Sequence, residues 1–436
     1  MFQYYLKLAL LSIKRNPILS GLMVTAIALG IGACMTTITV NYLMSADPIP
    51  QKSDKLFYVQ LDSWDPNDPF DEPNEPPDQL TWTDATNLLK AKKATRQVMM
   101  AQSVGAVEPE QQDAKPYMAS IRLTSKDFFG AFDTPFLYGG GWSDEADVNR
   151  EFVTVISRET NDKLFGGQNS VGKTIRVLGN NFKVVGVLDN WVPVPRFYDL
   201  TTDQFAEPEE MFMPIMLKEE LELPSSGNTN CWKRPDDGFK GFLNSECVNF
   251  QMWVELESEQ QKQAYKDYID NYVKEQKTLG RFARPLNNRL SDVNEWMENQ
   301  EVVADDAQIM LWLSFMFLLV CLLNTIGLLL AKFTGKTGEI SLRRAVGASR
   351  KDIFVQHLIE TACIGLAGGI AGLGLAMLGL QGIKVLYGSF ADRVSSLDFN
   401  LVIIALILAL LSSIAAGLYP TWRACAIAPA RALKDQ

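Results

Sequence analysis

Four stretches of this sequence carry almost no charge, and they limit what the chain can become more than any other feature. Residues 18–44, 309–330 and 399–419 contain no Asp, Glu, Lys or Arg, and 358–380 contains only Glu360. A bilayer core of about 30 Å is crossed by roughly 20 helical residues rising ~1.5 Å each, and each of these runs is long enough. The pattern predicts a membrane protein with an all-α, four-helix transmembrane domain. It excludes a soluble cytosolic enzyme, and the net charge of −10 excludes a basic nucleic-acid binder. A signal peptide is the competing reading of the first run, but its 27 uncharged residues exceed the ~7–15 of such apolar regions.

Charge then sets the expected orientation. The insert 45–308 holds 27 of the 41 basic residues and 45 of the 51 acidic ones. The segment 1–17 carries Lys7, Lys14 and Arg15 without an acid. The loop 331–357 carries six cations against Glu339 and Asp352, and the tail 420–436 carries Arg423, Arg431 and Lys434 against Asp435. Short basic segments stay on the cytoplasmic side. Both termini and the loop 331–357 are therefore expected inside, with the acidic insert and a short loop 381–398 outside.

Within the insert, strand-like runs at 55–61, 117–124, 151–156, 173–178 and 181–188 alternate with helical stretches at 81–95, 157–165 and 258–279. That mixture predicts a large α+β extracytoplasmic domain between spans one and two. Residues 62–78, with five prolines and seven acids, read as an irregular exposed loop. From Ser291 the sequence runs without Gly or Pro into the second span, which predicts a stalk helix over 291–308 continuous with it. Phe2, Tyr5, Leu6, Ala9, Leu10 and Ile13 share one face of an amphipathic helix suited to the membrane interface, before Pro17.

Cysteine placement agrees with this topology. Cys34, Cys321 and Cys363 fall in spans and Cys425 in the tail, leaving Cys231 and Cys247 as the two cysteines of the insert. A disulfide between them is expected, with two buried free thiols as the alternative. With one histidine, His357, and no CxxC pair, no metal site is expected.

Residues 167–174, GQNSVGKT, satisfy the phosphate-loop pattern G-x-x-x-x-G-K-[ST]. That motif needs a strand before it and a helix after it. Here a helix-like segment precedes and β-type sequence follows, so Gly167, Gly172 and Lys173 read as a turn. In the loop 331–357, an amphipathic stretch from Ile340 to Arg344 precedes Gly347-Ala348-Ser349, and Ser349 with Asp352 is spaced as a capping box. Its cations either dock a partner or only satisfy the charge rule. In the third span, Gly365/Gly369 and Gly368/Gly372 are spaced for close helix approach, within the bundle or between subunits. Glu360, a turn inside the boundary, is expected to reach water or an Arg, and Asn324 to bond a neighbouring helix.

The sequence resembles the MacB/FtsX-type ABC-transporter permeases along nearly its whole length. YLKLALLSIKRNPILSGLMVTAIALGIG is similar to the family's first helix and span. TSKDFFGAF, YGGGW and EFVTVISRETNDKLFGGQNSVGKTIRVLGNNFKVVGVL resemble its periplasmic core domain. GEISLRRAVGASRKDIFVQHLIETACIGLAGGIAG and YPTWRACAIAPARALKDQ resemble its coupling loop and C-terminal signature. The resemblance implies a non-catalytic permease of the inner membrane that pairs with a second permease. A dimer of cytoplasmic ABC ATPases would carry ATP and Mg, so this chain needs no cofactor of its own. Glu339, Arg343, Arg344, Gly347, Ala348, Ser349 and Asp352 would contact the ATPase, and mechanotransmission would move the outer domain to drive export. A periplasmic adaptor and an outer-membrane channel are possible further partners. An FtsX-like or lipoprotein-releasing role is the alternative with the same mechanics. The segments 1–17, 331–357 and 420–436 are too short for an ATPase domain, so the resemblance calls for a separate ATPase chain.

Overall fold

The computed structural model describes residues 2–109, 115–303, 305–387 and 399–426. In chain order, α1 (Phe2–Arg15) and α2 (Pro17–Met44) lead into a sheet domain. Its first half contains β1 (Leu56–Gln60), β2 (Leu80–Thr81), α3 (Trp82–Ala91), β3 (Arg96–Glu108), β4 (Tyr117–Thr124), α4 (Phe128–Ala131), β5 (Phe136–Gly139) and α5 (Asp144–Val148). Then follow β6 (Val153–Ile156), α6 (Arg158–Phe165), β7 (Thr174–Val177), β8 (Asn180–Leu188), β9 (Met211–Pro214), α7 (Leu217–Glu220) and α8 (Phe239–Leu243). It closes with β10 (Val248–Glu255), α9 (Glu259–Thr278), β11 (Arg289–Asp292) and α10 (Val293–Asn299). The chain ends in α11 (Asp305–Thr334), α12 (Thr337–Ala345), α13 (Arg350–Tyr387) and α14 (Phe399–Ala426). Two compact units result, one of residues up to Ser45 with those from Val303 onward, the other Ala46–Val302. What the sequence suggests for 388–398 and 427–436 lies outside the described residues.

Helices α2, α11, α13 and α14 are each long and apolar enough to cross a membrane. They outrun the uncharged windows: α13 has 38 residues, about 57 Å at ~1.5 Å per residue. The charged end of α11, which reads as loop, is therefore helical through Lys332, and α13 begins at Arg350 as the Ser349 cap predicts. The fourth helix continues through Pro420 to Ala426, so Cys425 is helical. In the bundle, α2 packs against α11 and α13, α14 packs against the same two, and α1 packs on α13. Tyr5 and Ala9 of α1 are buried, while Leu10, assigned to the same stripe, is exposed with Tyr4 and Leu11.

The sheet domain is α+β. Its strand order is β11-β1-β10-β3-β4-β9-β6-β8-β5, with β2 on β10 and β7 bridging β3 and β8. Central strands are buried on both faces. In β10, Phe250, Met252 and Val254 enter the core under α3 and α9, whereas Trp253 enters the core formed with α4 and α10. The proline-rich loop is only partly exposed, because Arg284 binds Asp62 at 3.1 Å and the Pro73 carbonyl at 3.0 Å.

The single stalk helix expected over 291–308 is corrected. Ser291 and Asp292 belong to β11, and Asp292 with Glu295 makes a capping box that starts a new helix, α10. That helix ends at Asn299, and Glu301 adopts a left-handed φ of 47° before α11 begins. Trp296 explains the break: its ring stacks 3.8 Å from Tyr58 of β1, so α10 is packed into the sheet domain.

Candidate functional site

The loop-side end of the bundle, where α2 begins and α11 finishes, gathers the residues singled out in the loop 331–357. Gly347, at φ 109°, turns the chain between α12 and α13 in a region L side chains rarely adopt. Ser349 and Asp352 close the capping box, with Asp352 N–H donating to Ser349 Oγ at 3.1 Å and Ser349 N–H to Asp352 Oδ2 at 3.3 Å. Tyr5 of α1 donates to the same carboxylate at 3.2 Å. Arg343 bridges Glu339 at 2.7 Å and Gln356 at 3.0 Å. Arg344 reaches the Cys425 carbonyl at 3.4 Å, and Ala348 packs on the bundle core. These ties fix α12 to α13 and α14, and α1 to α13. On its outer side Leu342 and Val346 are 58% and 82% exposed, two apolar side chains one turn apart that the sequence reading passed over.

Beneath this joint lies a buried ionic cluster. Glu360 is fully buried, pairs with Lys332 at 2.7 Å and Lys336 at 3.6 Å, and faces His357 Nδ1 at 3.4 Å. The Ser12 hydroxyl accepts from Lys336 and donates to Glu360, while Lys332 also donates to Ser20 at 3.0 Å. The expectation that Glu360 reaches water or an Arg is thus corrected. The cause is the extra turn of α11, which carries Lys332 inward. Burial pushes the Lys336 ammonium below its usual range, against the pull of Glu360.

The third-span glycines act inside the chain. A Cβ at Gly365 or Gly369 would lie 2.0 Å from Ser413 Oγ or 2.6 Å from Ala409 Cβ of α14. At Gly368 or Gly372 it would meet Ile27 at 2.7 Å or Ile31 at 2.9 Å on α2. Both pairs are packed closely against neighbouring helices of the same chain. Asn324, expected to bond a neighbouring helix, is exposed on α11, and Thr325 is the buried neighbour.

In the sheet domain the phosphate-loop pattern lies between α6 and β7, the reverse of the order a nucleotide site requires. Gly166, Gly167 and Gly172 all have positive φ, and Lys173 lies 4.9 Å over the Phe165 ring. Cys231 and Cys247 are disulfide-bonded. Among the described residues, no group of three or more His, Cys, Asp or Glu is placed to hold a metal ion.

A second buried cluster was not legible in the sequence. Arg122 of β4 binds Glu209, with its Nε at 3.0 Å, and Asp199 at 2.6 Å; Arg196 binds Glu209 at 3.1 Å. Tyr198 O–H donates to Glu209 at 2.9 Å and Gln251 to Asp199 at 2.9 Å. Burial alone would raise both carboxyls, but Arg122 and Arg196 hold them below the usual range.

Residues 20–272 match the profile of the MacB-like periplasmic core domain, and residues 311–429 that of the FtsX-like permease C-terminal domain. The macrolide export ATP-binding/permease protein MacB of Chlorobium luteolum is 24% identical over 300 residues, covering 68% of this chain and 40% of that protein. This chain therefore spans about 40% of the length of such relatives. The uncharacterized ABC transporter permease YknZ of Bacillus subtilis is 21% identical over 444 residues, with 98% of each chain covered. The crystal structure of the periplasmic region of MacB from Actinobacillus actinomycetemcomitans matches with a TM-score of 0.38 and 12% identity, over 58% of this chain and 95% of that one.

Proposed function

The chain belongs to the permease family that joins a MacB-like periplasmic core domain to an FtsX-like permease domain, and we propose that it is the membrane subunit of an ABC transporter powered by a separate cytoplasmic ATPase. The permease itself carries no catalysis; ATP and Mg belong to the partner. In this reading the bundle lies in the inner membrane with both termini inside, as the basic short segments favour. The Ala46–Val302 unit lies outside and is moved by mechanotransmission to drive export from the periplasm. A second permease, whose helix would cover Asn324, completes a dimer. An adaptor and an outer-membrane channel are further candidate partners.

The observation that carries this reading is α12. It is clamped on one side by Arg343, Arg344 and the Ser349–Asp352 cap, and it leaves Leu342 and Val346 bare on the other. Exposed apolar side chains on a short, rigidly held helix suit burial against a protein partner. The test is co-purification with the cognate ATPase, together with permease-stimulated ATP hydrolysis. Leu342→Asp with Val346→Asp should lose both while the bundle still inserts. Retained co-purification and stimulation would remove α12 as the docking element. These positions make a cleaner test than charge reversal at Arg343 and Arg344, whose guanidinium groups also hold α12 in place.

A further inference from the structure

A cavity of about 200 Å³ opens between α1, α12 and the first turns of α13. Arg15, Lys336 and Arg343 point cations at it, and Glu339 is the one acid among its lining residues. That carboxylate is shared, since Arg343 holds it at 2.7 Å and Arg15 stands 4.0 Å away. Lys336 cannot draw full neutralisation from Glu360 at 3.6 Å, because Lys332 already occupies that carboxylate at 2.7 Å. Arg15, Lys336 and Arg343 therefore face the single carboxylate of Glu339 around a half-enclosed space, with the Lys332–Glu360 pair buried behind its wall, and the local field favours an anion. The Ser12 hydroxyl and the Gln356 amide add polar groups to the wall.

The remaining lining names the source of that anion. Leu8 and Leu11 of α1 form an apolar side, and Leu11, Leu10 and Tyr4 are 54%, 57% and 58% exposed. An amphipathic helix with such a bare apolar face lies in the headgroup region of a leaflet. Basic pockets at that depth take lipid phosphates. At about 30 Å³ per water-sized group, the cavity has room for a phosphate and a small headgroup. We propose that this cavity binds the phosphate of an anionic phospholipid of the inner leaflet, with Arg15, Lys336 and Arg343 as its ligands. The proposal rests on the permease reading only for the side of the membrane on which α1 lies.

The test is native mass spectrometry of the purified full-length chain with dioleoylphosphatidylglycerol or dioleoylphosphatidylcholine, without an ATPase. Selective retention of phosphatidylglycerol is expected. Arg15→Gln with Arg343→Gln should lower it roughly 25-fold, since each basic group near a lipid phosphate is worth about fivefold. The lysine pair Arg15→Lys with Arg343→Lys should keep the preference. Glu339→Gln removes the competing carboxylate and should raise retention, which decides the matter if the glutamine pair fails to fold. Equal retention of the two lipids overturns the proposal, as does a preference insensitive to these substitutions. Displacement of phosphatidylglycerol by millimolar inorganic phosphate would make the occupant a soluble phosphate and overturn the lipid assignment. Equal retention of the two lipids by the unsubstituted chain, with ATPase co-purification intact, would sink this proposal alone. The reverse outcome would count against the permease reading alone.

Discussion

The bundle and the sheet domain each bury an ionic cluster, and the two are built on different plans. In the sheet domain, Arg122 and Arg196 face Asp199 and Glu209, so the formal charges cancel, and Tyr198, Thr201 and Gln251 bond the remaining oxygens. In the bundle, Lys332 and Lys336 face the single carboxylate of Glu360. A balanced, fully buried cluster is rigid, because losing one partner strands a charge where water cannot reach. The bundle cluster keeps an excess cation, and Lys336 sits at a cavity wall. The first plan pins the connection between β8 and β9, which carries Arg196, Asp199 and Glu209, to Arg122 of β4 and Gln251 of β10. The second joins α1, α11 and α13 where an outside anion can still complete the balance.

The substitution that should break this contrast most sharply is Arg122→Met. It leaves two buried carboxylates against one guanidinium and should cost ~3–5 kcal/mol, read as a lowered midpoint in denaturant unfolding of the sheet domain. A cost below ~1 kcal/mol would mean that water or Arg196 alone satisfies Glu209 and Asp199, and the rigid-cluster reading would fall.

A pH scan sharpens the same comparison. Burial pushes Asp78 and Asp147 up to about 6 in the folded sheet domain. Groups with raised folded values contribute stability that is complete below the unfolded value near 3.8 and is lost as pH rises through about 6. At ~1.36 kcal/mol per unit, each accounts for about 2–3 kcal/mol. Asp199 and Glu209 are held low, so their contribution is present above their unfolded values and is lost only as pH falls through the folded ones. Stability of this unit should therefore decline from about pH 4 to 7, and Asp147→Asn should flatten the decline. A flat profile in the unsubstituted chain would show that these two carboxyls are better solvated than their burial implies.

Glu360→Gln in the bundle should cost less than Arg122→Met, ~1–3 kcal/mol. The amide keeps an acceptor for Lys332, and Lys336 can turn toward the cavity. Helix melting followed by circular dichroism in detergent measures it. A cost equal to that of Arg122→Met would erase the distinction between the two clusters.

The same contrast explains how much could be read from the residues alone. The four bundle helices were legible because a bilayer imposes one rule over twenty residues, and charge exclusion displays it directly. The Ser349–Asp352 cap was legible for a similar reason, since a local spacing fixes a local geometry. Strand β3 was missed, with β2, β5, β9, β10 and β11. In β3 and β10, runs such as VMMAQ and NFQMWVE are buried on both faces and show no clean alternation. The partners of Arg122 lie 77 and 87 residues away, and no pattern within β4 announces them. The stalk helix failed because a run without Gly or Pro hid a break set by Trp296 on Tyr58, a tertiary contact. Leu342 looked like an ordinary member of the amphipathic stretch and Val346 lay just beyond it, and only the packing of α12 shows that both are left bare.

Lys173→Ala should have the smallest effect, and it sets an exposed cation against the buried ones. Lys173 completes the phosphate-loop pattern, but it follows the glycine turn after α6 and its ammonium rests 4.9 Å over Phe165. An exposed cation–π contact of this kind is worth about 0.5–1 kcal/mol at most, and surface substitutions of this sort usually stay within ~0.5 kcal/mol. Stability should hardly move. ATP hydrolysis by the permease–ATPase complex should not change, because no helix N-terminus follows Lys173 to receive a phosphate and Thr174 opens a strand. Hydrolysis abolished by Lys173→Ala, with Leu342→Asp and Val346→Asp silent, would move the nucleotide site onto this chain. The assignment of the bundle end as the coupling element would then fail with it.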